Sequence, residues 1–557
     1  MKRLSYILII LPALMFGQRN LPLNREWGLV NESYRDLILP VSPDSALVRT
    51  GVTNPNEENY VQDPSCFKPY ITKPFIPLRD RSKKWFLRKL TEESLIVVKD
   101  SADKFNLTVD PLLQFEAGTD FADRTHEVQY KNTRGFLVRG NIGEQFVFES
   151  SFYENQAVYP DYIDKYIIAT DNLFPQTSNY DYNVIPGQGR SKKYKQNGYD
   201  YSMASGYISW SPGKHLNIQA GHGKHFVGDG YRSLLLSDNA YNYPYARITT
   251  SWKNFQYTNL YASFINLTNG GASSPAFVER LFQKKTASFQ MLSGTFFRRL
   301  QLGIFQGMIW EAADTNNSQH LSFNTFNPVI GVNSGVFGLD HSNNILLGAT
   351  WKIKVLKSIS LYGQFVLDEI YDANDGAETS RKNGYQVGMK YHNVFTLRNL
   401  NFQIEYNTVR PYTYAADNAY QSYTHYNQAL AHPMGANFTE AVGFVNYIFK
   451  GFFIQLKGIY AQKGVDTLNR NFGGNVFRPS GTFPISQKLD NVHTLGGLKT
   501  TITYQDIQFG YLVNPVTNLN LYIGFTNRFE TTYKGTVGTQ LIYFGLRTSL
   551  TNSYFDF

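Results

Sequence analysis

The chain has 557 residues, among them 39 Tyr, 41 Phe, 44 Gly and a single cysteine, Cys66. One cysteine excludes an internal disulfide framework, and beyond residue 17 no apolar run is long enough for a membrane-spanning helix. The formal charge of +9 is spread along the chain, without the concentrated basic patch that nucleic acid requires.

Residues 1–17 read as an export signal. Met1, Lys2 and Arg3 supply the positive start, Leu4 to Phe16 the apolar core, and Gly17 a small residue at the expected cleavage point. Loss of Lys2 and Arg3 lowers the formal charge from +9 to +7. Pro12 interrupts a run already too short to anchor, and no Cys follows it to carry a lipid. Residues 18–100 read as a small periplasmic cap of helical and extended pieces. Asn24 caps an expected helix through Glu26, Trp27, Leu29, Val30 and Tyr34 that ends near Pro40. A second expected helix runs from Trp85 through Glu93 towards Val97. Its Trp85 and Leu90 would cover a protein surface, while Arg88, Lys89 and Glu92 would face water. Pro64, Pro69, Pro74 and Pro77 favour extended connections between the two.

From residue 101 to 557 the pattern changes to segments of about ten residues with a period of two, the grammar of a transmembrane β-barrel. Leu519, Leu521, Ile523 and Phe525 alternate with Asn520, Tyr522, Gly524 and Thr526; Ile542, Phe544 and Leu546 alternate with Tyr543, Gly545 and Arg547. One face can meet lipid and the other a polar lumen. Tight turns such as those inside 207–216 and 511–519 set neighbours antiparallel and belong at the periplasmic rim. The long polar links 159–200, 314–343, 371–383, 411–439 and 466–487 read as outer loops. The expected architecture is a closed antiparallel outer-membrane barrel of about 18 strands. Tyr and Trp near strand ends would form its interfacial girdles. A soluble β-sandwich or β-helix also alternates, but does not need aromatics at so many strand ends.

Two segments concentrate chemistry. In Gly221–Asp238, glycines 221, 223, 228 and 230 permit close backbone approach, and Lys224, His225 and Arg232 can bind an acidic glycan. The structural alternative is a lumen network of Lys224, His225, Asp229, Arg232 and Asp238, in which Asp229, Asp238 or another inward carboxylate neutralises Arg232. Alternation predicts a strand through His222 and His225, which places them on opposite faces, and no further ligand stands near. No metal site is expected.

The second segment holds Arg410, Tyr412 and Tyr414, then Tyr423, His425, Tyr426, Asn427 and Gln428. Tyr rings stack on sugar faces, amides bond hydroxyls, and Arg410 suits a uronate. The structural alternative is an aromatic loop folded over the lumen. Enzymatic chemistry has no comparable support. Ser233 with His225 and Asp229 forms no nucleophile elbow, and no carboxylate pair is placed as a glycosidase needs. Neither an enzyme nor a cofactor is expected.

Several segments together resemble the capsule-assembly Wzi family and, more closely, the RemB-like gliding-motility proteins of Bacteroidota. They are Asn132–Gly140, Ser151–Ala157, His222–Leu236 and Tyr423–Gln428. The resemblance implies an outer-membrane barrel with a small helical periplasmic part that attaches polysaccharide to the cell surface. In the second branch it implies a role in surface gliding, with surface polysaccharide, outer-membrane lipid and gliding or secretion machinery as partners. A transport channel, or a structural subunit of a secretion or motility complex, is the alternative. The final segment, residues 551–557, lies beyond the last apparent strand and leaves the exact closing strand and the assembly signal open.

Overall fold

A computed structural model describes residues 84–100, 104–123, 128–143, 145–169, 183–213, 215–269, 282–297, 299–311, 326–332, 344–370, 381–416, 421–467, 470–478, 492–550 and 553–557. The expected signal and the helix from Asn24 lie outside the described residues. The second expected helix is shorter than its pattern suggested: α1 covers Trp85–Thr91, and Val97 belongs to a strand, β1 (Ile96–Lys99). Its faces are also reversed. Trp85, Phe86 and Leu90 are exposed, whereas Arg88 and Lys89 turn inward to pair with Glu93 at 3.2 Å each. Asn514 fastens the end of the helix, donating to the carbonyls of Lys89 and Glu93.

The long strands follow in order. The first are β2 (Phe105–Asp120), β3 (Val128–Ile142), β4 (Phe146–Val158), β6 (Gly198–Gly213), β7 (Leu216–Gly223), β8 (Tyr243–Trp252) and β9 (Phe255–Asn269). Then come β10 (Phe282–Phe296), β11 (Leu300–Glu311), β12 (Asn344–Lys354), β13 (Ile359–Ile370), β14 (Arg381–His392) and β15 (Leu400–Val409). The last are β18 (Phe438–Phe449), β19 (Phe452–Val465), β20 (Leu498–Asn514), β21 (Leu519–Thr532) and β22 (Gly535–Arg547). Each pairs antiparallel with the next, and β22 pairs with β2 from Gln114↔Arg547 to Asp120↔Leu541. The ring therefore closes as an 18-strand barrel. Helix α2 (Asp161–Ala169) and the short strands β5 (Lys192–Tyr194), β16 (Thr424–His425) and β17 (Gln428–Ala429) stand outside the ring's count.

Alternation sorts side chains between two solvents. Along β21, Leu521, Ile523 and Phe525 point outward and are exposed, whereas Asn520, Tyr522 and Thr526 are buried on the lumen side. Along β8 the alternation runs unbroken from buried Tyr243 to exposed Trp252. Only a closed ring leaves no unpaired backbone edge in hydrocarbon, so this outward apolar band is a lipid-facing surface and the barrel is an outer-membrane one. At the rim of short connections, Phe146, Trp210, Trp252, Phe255, Phe449 and Phe452 are all exposed, forming a girdle. There Lys450 and Gly451 turn β18 into β19 with both φ angles positive, 48° and 91°, the twist that a two-residue hairpin needs. By the barrel rule this rim is periplasmic; the antiparallel β1 ends on this side and β2 starts from it.

The opposite rim carries the long links. They differ from the expected loops at their ends: β6 already begins at Gly198, β14 at Arg381 and β18 at Phe438, while the link after β19 continues to β20 at Leu498. Two further long links, 224–242 and 270–281, were not among those expected. β7 ends at Gly223, so His225 lies beyond the strand in which alternation had placed it. Tight glycines and a dense polar stretch end the strand there, and the chain turns into the lumen.

Candidate functional site: loops folded into the lumen

Link 224–242 enters the barrel as a compact plug. Val227 N–H donates to Leu236 O at 2.8 Å, closing the loop on itself. Gln364 of β13 clasps it from the wall, donating to Val227 O and accepting from Leu234 N–H, both at 2.8 Å. Gly228, at φ 122°, lies against that glutamine side chain, where a Cβ would collide. Leu234, Leu235 and Leu236 are buried in one apolar core with Phe264, Phe289 and Phe305 from the wall. This burial drives the insertion.

Arg232 anchors the plug's charge. Its guanidinium donates to Glu440 of β18 at 2.9 Å and to Asp556 at 3.1 Å, and all three side chains are buried. Lys457 of β19 reaches the other oxygen of Asp556 at 2.9 Å. Glu405 of β15 accepts the backbone N–H of Tyr231 at 2.7 Å and of Arg232 at 3.1 Å, and the Tyr362 hydroxyl at 2.8 Å. Such pairing is what allows ions to persist without water. Burial alone would raise the Asp556 carboxyl, but Arg232 and Lys457 beside it hold it below the ordinary carboxylate range. His432 donates from Nε2 to Glu440 at 2.7 Å and accepts Met434 N–H on Nδ1 at 3.2 Å. Those two bonds define the neutral imidazole, and burial pushes its pKa down although Glu440 opposes the shift.

Of the expected network, Arg232 finds other inward carboxylates rather than Asp229 or Asp238. Asp229 pairs with Lys352 at 3.3 Å, and Asp238 accepts the Tyr554 hydroxyl at 2.7 Å. Lys224 donates to the carbonyls of Gly187 and Asp238. His225 bonds the Tyr243 hydroxyl at 3.2 Å and meets the Tyr245 ring edge-on at 4.2 Å. Sequence reasoning missed Glu405, Glu440 and Asp556. The signal for the first two was available: acidic residues on the inward parity of strands are rare unless something inside needs them.

Asp556 reaches Arg232 because the segment after β22 turns back into the barrel. Tyr554 and Asp556 are buried, and Phe555 packs on Tyr159 with ring centroids 5.4 Å apart. The last strand of the ring thus ends at Arg547, and Tyr554, Phe555 and Asp556 beyond it are lumen contents.

The described parts of the second loop, 410–416 and 421–437, lie over the first. Tyr414 and Tyr423 stack at 5.7 Å, and their hydroxyls donate to Leu234 O and Leu235 O at 2.7 Å each. Tyr412 donates to Asn471 O at 2.7 Å. His425 accepts Ile265 N–H at 3.0 Å and donates to Asn242 O at 3.1 Å. Gln428 exchanges bonds with Gly187 N–H and Gln188 O, and Asn427 accepts Leu267 N–H at 3.4 Å. Arg410 and Tyr426 are the two of the eight that remain half-buried; Tyr426 packs against Tyr241 at 4.7 Å. Among the described residues no group of three or more His, Cys, Asp or Glu is placed to hold a metal ion.

Neither a family model nor a curated protein matches the sequence. Among solved structures, the chain is similar to Wzi of Escherichia coli, described as an outer-membrane protein involved in group 1 capsule assembly and a carbohydrate-binding β-barrel. The identity is 13%, with 81% of this chain and 85% of that one covered and a TM-score of 0.45. It is also similar to OprD of Pseudomonas aeruginosa, at 11% identity, 82% and 97% coverage and a TM-score of 0.40. OccAB2 of Acinetobacter baumannii matches at 12% identity, 79% and 97% coverage and a TM-score of 0.40. The ring of strand pairs, rather than these distant likenesses, establishes the barrel.

Proposed function

We propose that this barrel retains surface polysaccharide at the outer membrane and so supports capsule organisation or gliding. The observation that supports the reading is the plug: two long loops and the segment after β22 fill much of the lumen with a bonded core. A lumen occupied in this way supports holding a ligand over conducting one. Arg410 and Tyr426 are the contact residues of choice, a cation and a ring that the packing leaves half-buried. The test is a pull-down of native capsule and exopolysaccharide by detergent-purified protein. Retention is expected from the wild type and reduced in the double variant Arg410→Ala, Tyr426→Ala at matched expression. No retention from any native preparation overturns the reading.

A transport channel is the second reading, favoured by a hollow that persists beside the plug. Sustained single-channel conductance of the wild-type protein would select it.

A further inference from the structure

The hollow lies mid-barrel, between the walls of β2–β4 and β18–β22 and the segment after β22, with a volume of about 230 Å³. We propose that it is a binding chamber for one uncharged sugar unit, a deepening that rests on the polysaccharide reading for its biological ligand. Three properties lead there.

The first is the lining. Tyr159, Tyr201 and Tyr504 share it with the amide side chains of Asn155, Asn446 and Gln455. Flat apolar rings beside amides match the two kinds of surface on a sugar, its C–H faces and its hydroxyl rim.

The second is charge. The lining includes three acids, Glu116, Asp506 and Asp556, and three bases, Lys131, Lys457 and Arg547, so it is balanced. The acids are already engaged. Lys131 meets Glu116 at 2.8 Å and Lys457 meets Asp556 at 2.9 Å. Asp506 accepts the hydroxyls of Thr526 and Tyr543 at 2.8 and 2.7 Å. Arg547 donates to the Gln508 amide oxygen at 2.9 Å. An ionic ligand has to compete with these bonded groups and give up its own hydration, whereas a neutral polyol adds to them without a net charge.

The third is an incomplete hydrogen-bond set. Asn155 accepts the Thr133 hydroxyl through Oδ1, but its buried Nδ2 has no partner among the described residues. A buried donor left unbonded is costly, and a ligand hydroxyl in the chamber would complete it after a small rotation of the amide. The volume is below the roughly 300 Å³ at which sites for drug-sized ligands begin, which limits the occupant to about one ring.

The experiment is saturation-transfer NMR on the detergent-solubilised full chain with D-glucose, D-galactose, D-mannose and L-rhamnose, and D-glucuronate as the charged control. At least one neutral sugar is expected to bind, and glucuronate at least tenfold more weakly. Asn446→Phe, which places a ring in the chamber, is expected to abolish the signal, and Asn155→Leu to weaken binding at least tenfold. No binding by any neutral sugar, preference for glucuronate, or unchanged binding in folded variants overturns the proposal. If a variant does not fold, the wild-type panel decides alone. Polysaccharide retention with no small-sugar binding would sink the chamber and leave the retention reading standing. Small-sugar binding without retention would do the reverse.

Discussion

The two sides of this lumen are built from strands of the same period yet have opposite interiors. Around β9–β13 the inward positions carry Ala262, Phe264, Ala287, Phe289 and Phe305, and the loop leucines pack on them. Gly348 gives Leu235 its room, since a Cβ there would strike the leucine side chain. Around β2–β4 and β20–β22 the inward positions carry Gln114, Glu116, Asn155, Asp506 and Gln508, and the space stays hollow. Alternation decides only which residues point inward. Whether the lumen fills depends on what those residues are, because an apolar wall recruits an apolar loop and a polar wall does not.

The sharpest way to break the contrast is at the charge that joins the two sides. Arg232→Ala leaves Asp556 with Lys457 alone and Glu440 with His432, and is expected to lower stability by about 3–5 kcal/mol. Loss of the heat-modifiable folded band at a lower temperature measures it; an unchanged transition would remove the network from the barrel's support. Leu235→Ala tests the packed side directly, with an expected loss of about 2–5 kcal/mol depending on how far the cavity collapses. Equal loss on introducing Ala at a hollow-side position of similar burial would erase the distinction between the sides.

On the lipid side, Ile523→Lys is expected to hinder insertion by about 2–4 kcal/mol if the site lies near the midplane. Ile523 is exposed on the outward face, so membrane yield is the readout, and normal yield would contradict the facing of β21. The smallest effect is expected from Tyr423→Phe. It removes one neutral hydrogen bond to Leu235 O and should cost about 1 kcal/mol with the loop still in place, measured by denaturant midpoint. A larger loss would mean that the hydroxyl positions the whole plug.

Much of the architecture was legible in the residues. The alternation in β21 and β22, the Pro-containing and glycine turns, and the aromatics at strand ends all report local preferences that a closed sheet in lipid simply sums. The helix from Trp85 was read less well: its apolar residues mark an exposed face, and Asn514, at the end of β20, decides how it docks. The eight aromatic and polar loop residues were recognised as a unit, and six of them are engaged chiefly in packing and bonding the plug.

The sequence by itself determined the barrel, the direction in which the residues of β21 and β22 face and the rough positions of most long loops. Those properties depend on a period of two and on turn chemistry, both written within a few neighbouring residues. Only the tertiary structure decided which loops turn inward and which charges meet. Arg232 is separated from Glu440 by 208 positions and from Asp556 by 324, so no local pattern relates them. Their pairing arises when closure of the ring brings distant inward positions into one water-poor space, where a buried charge is stable only beside its opposite.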